Sequence, residues 1–270
     1  MVHNIEGIKF EQNENSNLFI IENFSKELKE KIQNQLSAIC HGLSDGESKR
    51  IAYNYQNTLK EFFKRYKDKT ENQQKGMIGE LLAHVVFLSY FENFDTVSPF
   101  FNSEERNVKK GFDLILYNTE NSEIWITEVK SGHLHKDKNA NETTNDLLGT
   151  AKRDLNTRLN ESNQALWINA ITGAKKSLEN YSDKKQLVKN ILEDIQDNVV
   201  NEQAVSLDKN VVLVSNIFHD LTDLIQISTA ENFSSKLTTE NIFNNHLIVC
   251  IQKETLENIT TFLERELKNV

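Results

Sequence analysis

The chain has 270 residues and a formal net charge of −9, and 38% of its residues are hydrophobic, which is enough apolar surface to bury a core. One proline and nine glycines exclude collagen-like and proline-rich proteins, and no apolar run reaches the roughly 18 residues that a membrane span needs. The acidic balance argues against a free-standing DNA-binding module, because such modules are usually basic.

The first 70 residues are predicted to form a mainly helical N-terminal extension. One short β-like run covers residues 18–21. Ser25 is a suitable N-cap for a helix that ends at Gly42, because a serine hydroxyl satisfies the first turn and a glycine closes the last one. A second helix is predicted over about residues 47–66, where apolar side chains recur at helical spacing.

Residues 71–270 are predicted to form one α/β domain, because helical and strand-like periods alternate along them. The middle of this region predicts a β-meander preceded by a long helix. In chain order the predicted elements are a helix over about 72–91, strands over 111–117 and 123–130, helices after an N-cap at Thr144 and over about 184–196, strands over 211–214 and 247–251, and a closing helix over 254–267.

Two acids and a lysine on the two central predicted strands are candidate residues of a catalytic site. Glu128 and Lys130 are two residues apart, so their side chains leave the same face of a strand. Asp113 lies on the preceding strand, and a hairpin would bring it to the same end as Glu128. Two carboxylates there would bind a hard cation such as Mg²⁺, which polarises a phosphodiester and activates a water, while Lys130 stabilises the developing charge.

Glu80 is a further candidate, carried by the helix before these strands. It lies about 100° around the helix from Leu81, at the edge of the apolar face. It is therefore predicted to reach over the end of the sheet and to bind the metal, directly or through water. The alternative for Glu80 is a surface glutamate, and the alternative for Glu128 and Lys130 is an exposed strand face of mixed charge.

The order of these elements resembles the core of the PD-(D/E)xK nuclease superfamily. The residues that carry the resemblance are Gly79-Glu80 on a helix, Gly111-Phe112-Asp113 on one strand, and Glu128-Val129-Lys130 on the next. The proline of the superfamily's name is replaced by Phe112. Residues 70–268 further resemble the HamA family, the nuclease subunits of the Hachiman anti-phage defence system.

These resemblances imply a restriction-endonuclease-like core, with a mixed central sheet flanked by helices, and a DNase that uses Mg²⁺ or Mn²⁺. Asp113, Glu128 and Lys130 would be catalytic, and Glu80 would join the two acids as a metal ligand. Lys152, on the helix that follows, is a possible helper. The family also implies a superfamily-2 helicase (HamB-like) as partner, on a separate chain, since this one has no G-x-x-x-x-G-K-[ST] loop.

Other functions stay open at this point. The chain could be a catalytically silent nucleic-acid-binding or scaffold subunit of the same fold, or a stand-alone restriction, repair or RNA-cleaving enzyme. Its start lacks the basic and apolar segments of a secretory signal, and its two cysteines lack metal-ligand spacing. These features predict a cytoplasmic protein without membrane contact.

Several charged or polar residues receive plainer interpretations. His84 is interpreted as a core-edge histidine, and Arg153 and Arg158 as surface residues. His135 could contact backbone phosphates or belong to a solvated loop. Residues 186–270 hold 6 Lys/Arg and 13 Asp/Glu, a net charge of −7, and are a candidate docking surface for a partner or merely a solvated acidic face.

Overall fold

The described residues, 4–101, 111–254 and 256–268, form a mixed α/β structure in this computed structural model. The strands are β1 Ile8–Asn13, β2 Ser16–Ile21, β3 Phe94–Thr96, β4 Leu114–Asn118, β5 Glu123–His133, β6 Asn210–Phe218 and β7 Asn245–Lys253. The helices are α1 Lys26–His41, α2 Leu43–Gly46, α3 Tyr55–Lys67, α4 Glu71–Tyr90, α5 Ala140–Asn160, α6 Gln164–Ser177, α7 Ser182–Val200, α8 Ile227–Glu240 and α9 Glu257–Lys268.

The seven strands lie in one sheet in the order β1-β2-β7-β6-β5-β4-β3. β3, β4 and β5 are antiparallel neighbours, which confirms the β-meander predicted for the middle of the chain. β5, β6, β7 and β2 run parallel to one another. The continuous apolar runs in β6 and β7 suit such strands, because helices cover both faces of a parallel sheet.

The N-terminal residues contribute two strands to this sheet. β2 confirms the β-like run predicted over residues 18–21, whereas β1 and the pairing of these strands with the central sheet were not predicted. β1 and β2 form an antiparallel hairpin, and β2 pairs in parallel with β7. α1 and α3 bury residues such as Leu36 and Phe62 in the same apolar layer as α4. The division at residue 70 therefore stays a prediction about domains, while sheet hydrogen bonds and core packing cross it.

Helix caps explain where the first helices begin. The Ser25 hydroxyl accepts a hydrogen bond of 3.1 Å from the backbone N–H of Leu28, which confirms the predicted N-cap of α1. The helix predicted over residues 47–66 is wrong in its first half. α3 begins only after Asn54, whose side chain caps it, and Ile51, an apolar residue within the predicted helix, is 76% exposed.

The second half of the chain is more helical than predicted. α5 begins before Thr144, because Asn139 forms a capping box with Glu142. α6 and α8 were not predicted at all. α8 packs on β7 and β2, and α6 packs on α7. Neither helix has a side-chain cap, so the local signal that marks the start of α5 is missing from both.

Helices cover both faces of the sheet. On one face α1, α3 and α4 pack against side chains that include Val129 and Val214. On the other face α5, α6 and α8 pack against side chains that include Ile126 and Leu213. Because side chains alternate along a strand, Glu128 and Lys130 share the face of Ile126 and point to the α5 layer.

The structure can be compared with two sequence features that were used to predict the cell location, the absence of a membrane span and the two cysteines. No helix in the described ranges is long and apolar enough to cross a bilayer. Cys40 and Cys250 are buried and free, and burial raises the pKa of both thiols. They therefore stay protonated and act as packing residues rather than as nucleophiles or metal ligands.

Candidate active site

The hairpin of β4 and β5 brings Asp113 close to Glu128. Leu114, the first residue of β4, pairs with Thr127 of β5 in an antiparallel register. Asp113 comes just before Leu114 and therefore lies across from Glu128. The backbone N–H of Val129 donates a hydrogen bond of 2.7 Å to Asp113 Oδ2. The Asp113 carboxylate is thereby fixed against β5, although it lies just before β4 and not within a strand as predicted.

Glu128 is a buried carboxylate with two differently satisfied oxygens. Its side chain is 1% exposed. Oε1 accepts hydrogen bonds from Lys130 Nζ and from Arg158 Nη2, each at 2.7 Å. Oε2 is buried and has no hydrogen-bond partner among the described residues. A buried polar atom without a partner is costly, so Oε2 marks a place where a ligand would be stabilised.

The charge balance of this carboxylate also favours a cation. The pKa of Glu128 is raised to about 7, first by burial and second by the Asp113 carboxylate. Arg158 and Lys130 lower it but do not offset the two raising effects. Burial penalises the ionised form, and a like charge nearby adds to that penalty. An additional positive charge beside Oε2 would therefore stabilise the ionised pair of acids.

Lys130 bridges two carboxylates. Its Nζ lies 2.7 Å from Glu128 Oε1 and 2.7 Å from Asp154 Oδ2 on α5. Burial opposes the charge of Lys130, but the Glu128 carboxylate and then the Asp154 hydrogen bond raise its pKa above the ordinary value. Lys130 is therefore an ammonium group at neutral pH. It can stabilise negative charge but cannot act as a base there.

Asp154 and Arg158 are parts of the site that the sequence analysis missed. The interpretation of Arg158 as a surface residue is wrong, because its guanidinium contacts Glu128 and its Nη1 also donates to the Gly111 carbonyl oxygen at 3.4 Å. Asp154 and Arg158 are four residues apart, so they share one side of α5, beside the buried Leu155. Their only signal in the sequence is a charged pair beside an apolar stripe, which is common on surface helices and does not identify a site.

Glu80 has a different position from the other candidates. Gly79 packs so closely on β5 that a Cβ atom there would lie 2.8 Å from Ser131 Cβ. Ser131 is on the α4 face of β5, whereas Glu128 and Lys130 are on the α5 face. Glu80, which follows Gly79, is half-buried. Its role as a metal ligand stays a prediction.

The remaining sequence candidates make contacts outside this centre. Lys152 Nζ hydrogen-bonds both carboxylate oxygens of Glu240 on α8, at 3.0 and 2.8 Å. His84 is fully buried and lies edge-on to Phe100, which confirms its interpretation as a core histidine. His135 Nδ1 lies 2.8 Å from Asp146 Oδ2. The helper role of Lys152 stays a prediction.

The donor set can be compared with what a divalent cation needs. Within residues 4–101, 111–254 and 256–268, no group of three or more His, Cys, Asp or Glu side chains is arranged to hold a metal ion. Asp113 and Glu128 supply two carboxylates, and the buried Glu128 Oε2 has no hydrogen-bond partner among the described residues. Mg²⁺ is often bound through one or two carboxylates, with water and phosphate oxygens completing its shell. The two carboxylates are therefore suited to hold Mg²⁺ or Mn²⁺ at a site where water and substrate phosphate oxygens complete the coordination shell.

Comparison with known proteins gives one match. The sequence model of a family described as HamA matches residues 2–268. The match extends through the N-terminal residues, beyond the 70–268 region that carried the resemblance in the sequence. No curated protein and no solved structure matches the chain.

Proposed function

The chain belongs to the HamA family, and on this premise we propose that it is the metal-dependent nuclease subunit of a bacterial anti-phage defence complex, the Hachiman system. The reaction is hydrolysis of phosphodiester bonds in DNA, at a PD-(D/E)xK-type centre formed by Asp113, Glu128 and Lys130. The cofactor is Mg²⁺ or Mn²⁺.

One observation supports this function above the others. Glu128 is almost fully buried, and two cations hold its Oε1 while Oε2 is left without a partner among the described residues. A structural glutamate in a core would be expected to have both oxygens satisfied, because an unsatisfied buried acceptor destabilises the fold. A carboxylate held in this way is suited to bind a cation together with Asp113.

Each residue then has a distinct task. Asp113 and Glu128 would hold the divalent cation, which when bound polarises the scissile phosphate and lowers the pKa of the attacking water. Lys130 presents its ammonium group to the negative charge that develops on the phosphate oxygens. Asp154 keeps Lys130 charged and oriented, and Arg158 fixes Glu128 through Oε1 and so keeps Oε2 directed to the ligand.

The charge of the chain supports a partner-dependent enzyme. Most non-specific affinity for DNA comes from neutralising phosphates, and a net charge of −9 supplies little of it. The sequence has no nucleotide-binding P-loop, so an ATP-driven helicase would be a separate subunit. We propose that this helicase delivers the DNA and docks on acidic side chains in the region after residue 186, which includes α7, α8 and α9.

Cleavage of DNA in Mg²⁺ and in EDTA tests this function. The chain is purified alone and together with the product of the neighbouring gene, and linear and plasmid DNA are incubated with each, with and without ATP. We expect cleavage in Mg²⁺ and none in excess EDTA, because the two carboxylates cannot activate water by themselves. The complex should cut faster than the isolated chain.

The other outcomes discriminate between functions. Cleavage that persists in excess EDTA would contradict a metal-dependent centre. DNA binding without cleavage under Mg²⁺ or Mn²⁺, alone and in the complex, would favour a catalytically silent subunit. Cleavage of RNA but not of DNA under the same conditions would make the chain a ribonuclease.

A further inference from the structure

A second concave surface lies between α5 and α8. It is a cavity of about 650 Å³, large enough for a nucleotide-sized group. Its walls are predominantly polar. The lining residues on α5 include Gly149, Thr150 and Arg153, and those on α8 include Asn232 and Lys236. None of these residues takes part in the Glu128 site.

Positive charge in this cavity is only partly compensated. Lys152 is neutralised by Glu240, and Asp146 is paired with His135 and Lys138. Arg153 and Lys236, by contrast, have no carboxylate partner among the described residues, and both are exposed. They project from the two opposite walls. In a chain with a net charge of −9, two uncompensated cations in one concave surface favour an anionic ligand.

The arrangement of side chains on α5 leaves space beside the Arg153 guanidinium. Arg153 Nη2 donates a hydrogen bond of 3.0 Å to the Thr150 hydroxyl. Its guanidinium therefore lies along the helix, with Nη1 about 3.5 Å from where a Cβ atom at Gly149 would be. The missing side chain at Gly149 leaves room for a group to approach the guanidinium from the α8 side. The planar fork of an arginine suits phosphate oxygens.

We propose that the cavity between α5 and α8 binds backbone phosphates of a nucleic-acid strand, with Arg153 and Lys236 as the phosphate-contacting residues. The inference rests on the proposed function only in naming nucleic acid as the ligand. Binding at this surface requires neither the metal nor cleavage.

The position of the cavity relates it to the Glu128 site. Asp154 and Arg158 occupy the flank of α5 that faces β5, whereas Lys152 on the other flank reaches α8. One helix, about 10–12 Å across with its side chains, separates the two surfaces. Along the axis of a duplex each strand rises about 3.4 Å per nucleotide, so that distance corresponds to three to four nucleotides. A substrate lying across α5 would thus contact both.

Binding of labelled oligonucleotides in EDTA tests the inference apart from cleavage. Fluorescence anisotropy with a single-stranded and a double-stranded 20-mer is measured for the full chain and for Arg153→Gln/Lys236→Gln across a salt series. We expect the affinity to fall about ten-fold, because two phosphate contacts are lost. The slope of log affinity against log salt should become shallower by about 1.4–1.8, at roughly 0.7–0.9 for each phosphate.

A charge-matched control separates the cavity from a general charge effect. Lys60→Gln/Lys64→Gln removes two exposed cations from α3, on the opposite face of the sheet, and should change the affinity little. Arg153→Lys/Lys236→Arg keeps both charges and should retain most of the binding. Equal affinity losses in the α3 and cavity variants would overturn the proposal. A wild-type chain that binds neither oligonucleotide even at the lowest salt of the series, where phosphate contacts are strongest, would overturn it as well.

A nucleotide is the alternative ligand for such a cavity. ATP is titrated into the same proteins, and loss of ATP binding in the cavity variant with unchanged oligonucleotide binding would overturn the proposal. If the cavity variant loses oligonucleotide binding while the wild-type chain never cleaves, the cavity assignment stands and the proposed nuclease function fails.

Discussion

Replacement of Glu128 by glutamine is expected to reduce DNA cleavage by about 10³-fold or more, because a neutral amide cannot supply the carboxylate charge that holds a divalent cation. The change is nearly isosteric, and the amide oxygen of the new side chain could still accept from Arg158. The loss should therefore appear in the cleavage rate and not in folding. The measurement is the single-turnover rate of cleavage of a labelled DNA by the complex in Mg²⁺.

The same strand offers a matched control. Glu123→Gln makes the same chemical change at the start of β5, where Glu123 contacts Asn121 and Asn210 rather than the Lys130 and Arg158 cations. This variant should cleave at the wild-type rate. A Glu128→Gln protein that cleaves as fast as Glu123→Gln would remove Glu128 from the active site.

Substitution of Gly79 is expected to have the largest effect on stability. A Cβ atom there would lie 2.8 Å from Ser131 Cβ and closer still to its Oγ, so α4 and β5 would have to move apart. Overpacking of this kind typically costs about 1–3 kcal/mol. Gly79→Ala should therefore lower the free energy of unfolding by about that amount, measured as a shift in the urea midpoint by circular dichroism.

Another glycine of α4 provides the control. A Cβ atom at Gly76 would meet nothing within 4 Å. Gly76→Ala should therefore raise the stability by about 0.5–1 kcal/mol, since alanine is the better helix former. Adding Ser131→Gly to Gly79→Ala should restore part of the lost stability. Equal midpoints for the two single alanine variants would show that α4 does not pack on β5 as described.

The central strands of the site could be predicted from the sequence because their signal is local. A two-residue spacing puts Glu128 and Lys130 on one face, and the polar turn between the two strands makes a hairpin that carries Asp113 to the same end. Both features depend on residues fewer than about twenty apart. The structure agrees on this pair of strands and changes only their ends, since β5 continues to His133.

The rest of the site depends on contacts that sequence spacing does not encode. Arg158 and Asp154 reach Glu128 and Lys130 because α5 crosses the sheet at one particular place and rotation. The same limit applies to β2, whose pairing with β7 joins residues more than 200 positions apart. The sequence alone does not distinguish Arg158 from an ordinary helix-surface arginine, because its contact with Glu128 depends on how α5 packs on β5.

The most direct test of the central claim is a crystal of the chain grown or soaked with Mn²⁺ and measured at its anomalous edge. We expect one strong peak bonded to Glu128 Oε2 and to the Asp113 carboxylate at about 2.1 Å, with Arg158 and Lys130 still on Glu128 Oε1. The peak should be absent from Glu128→Gln crystals treated in the same way. An ordered Mn²⁺ bound elsewhere, with none between Asp113 and Glu128, would contradict the assignment of these two acids as the metal site.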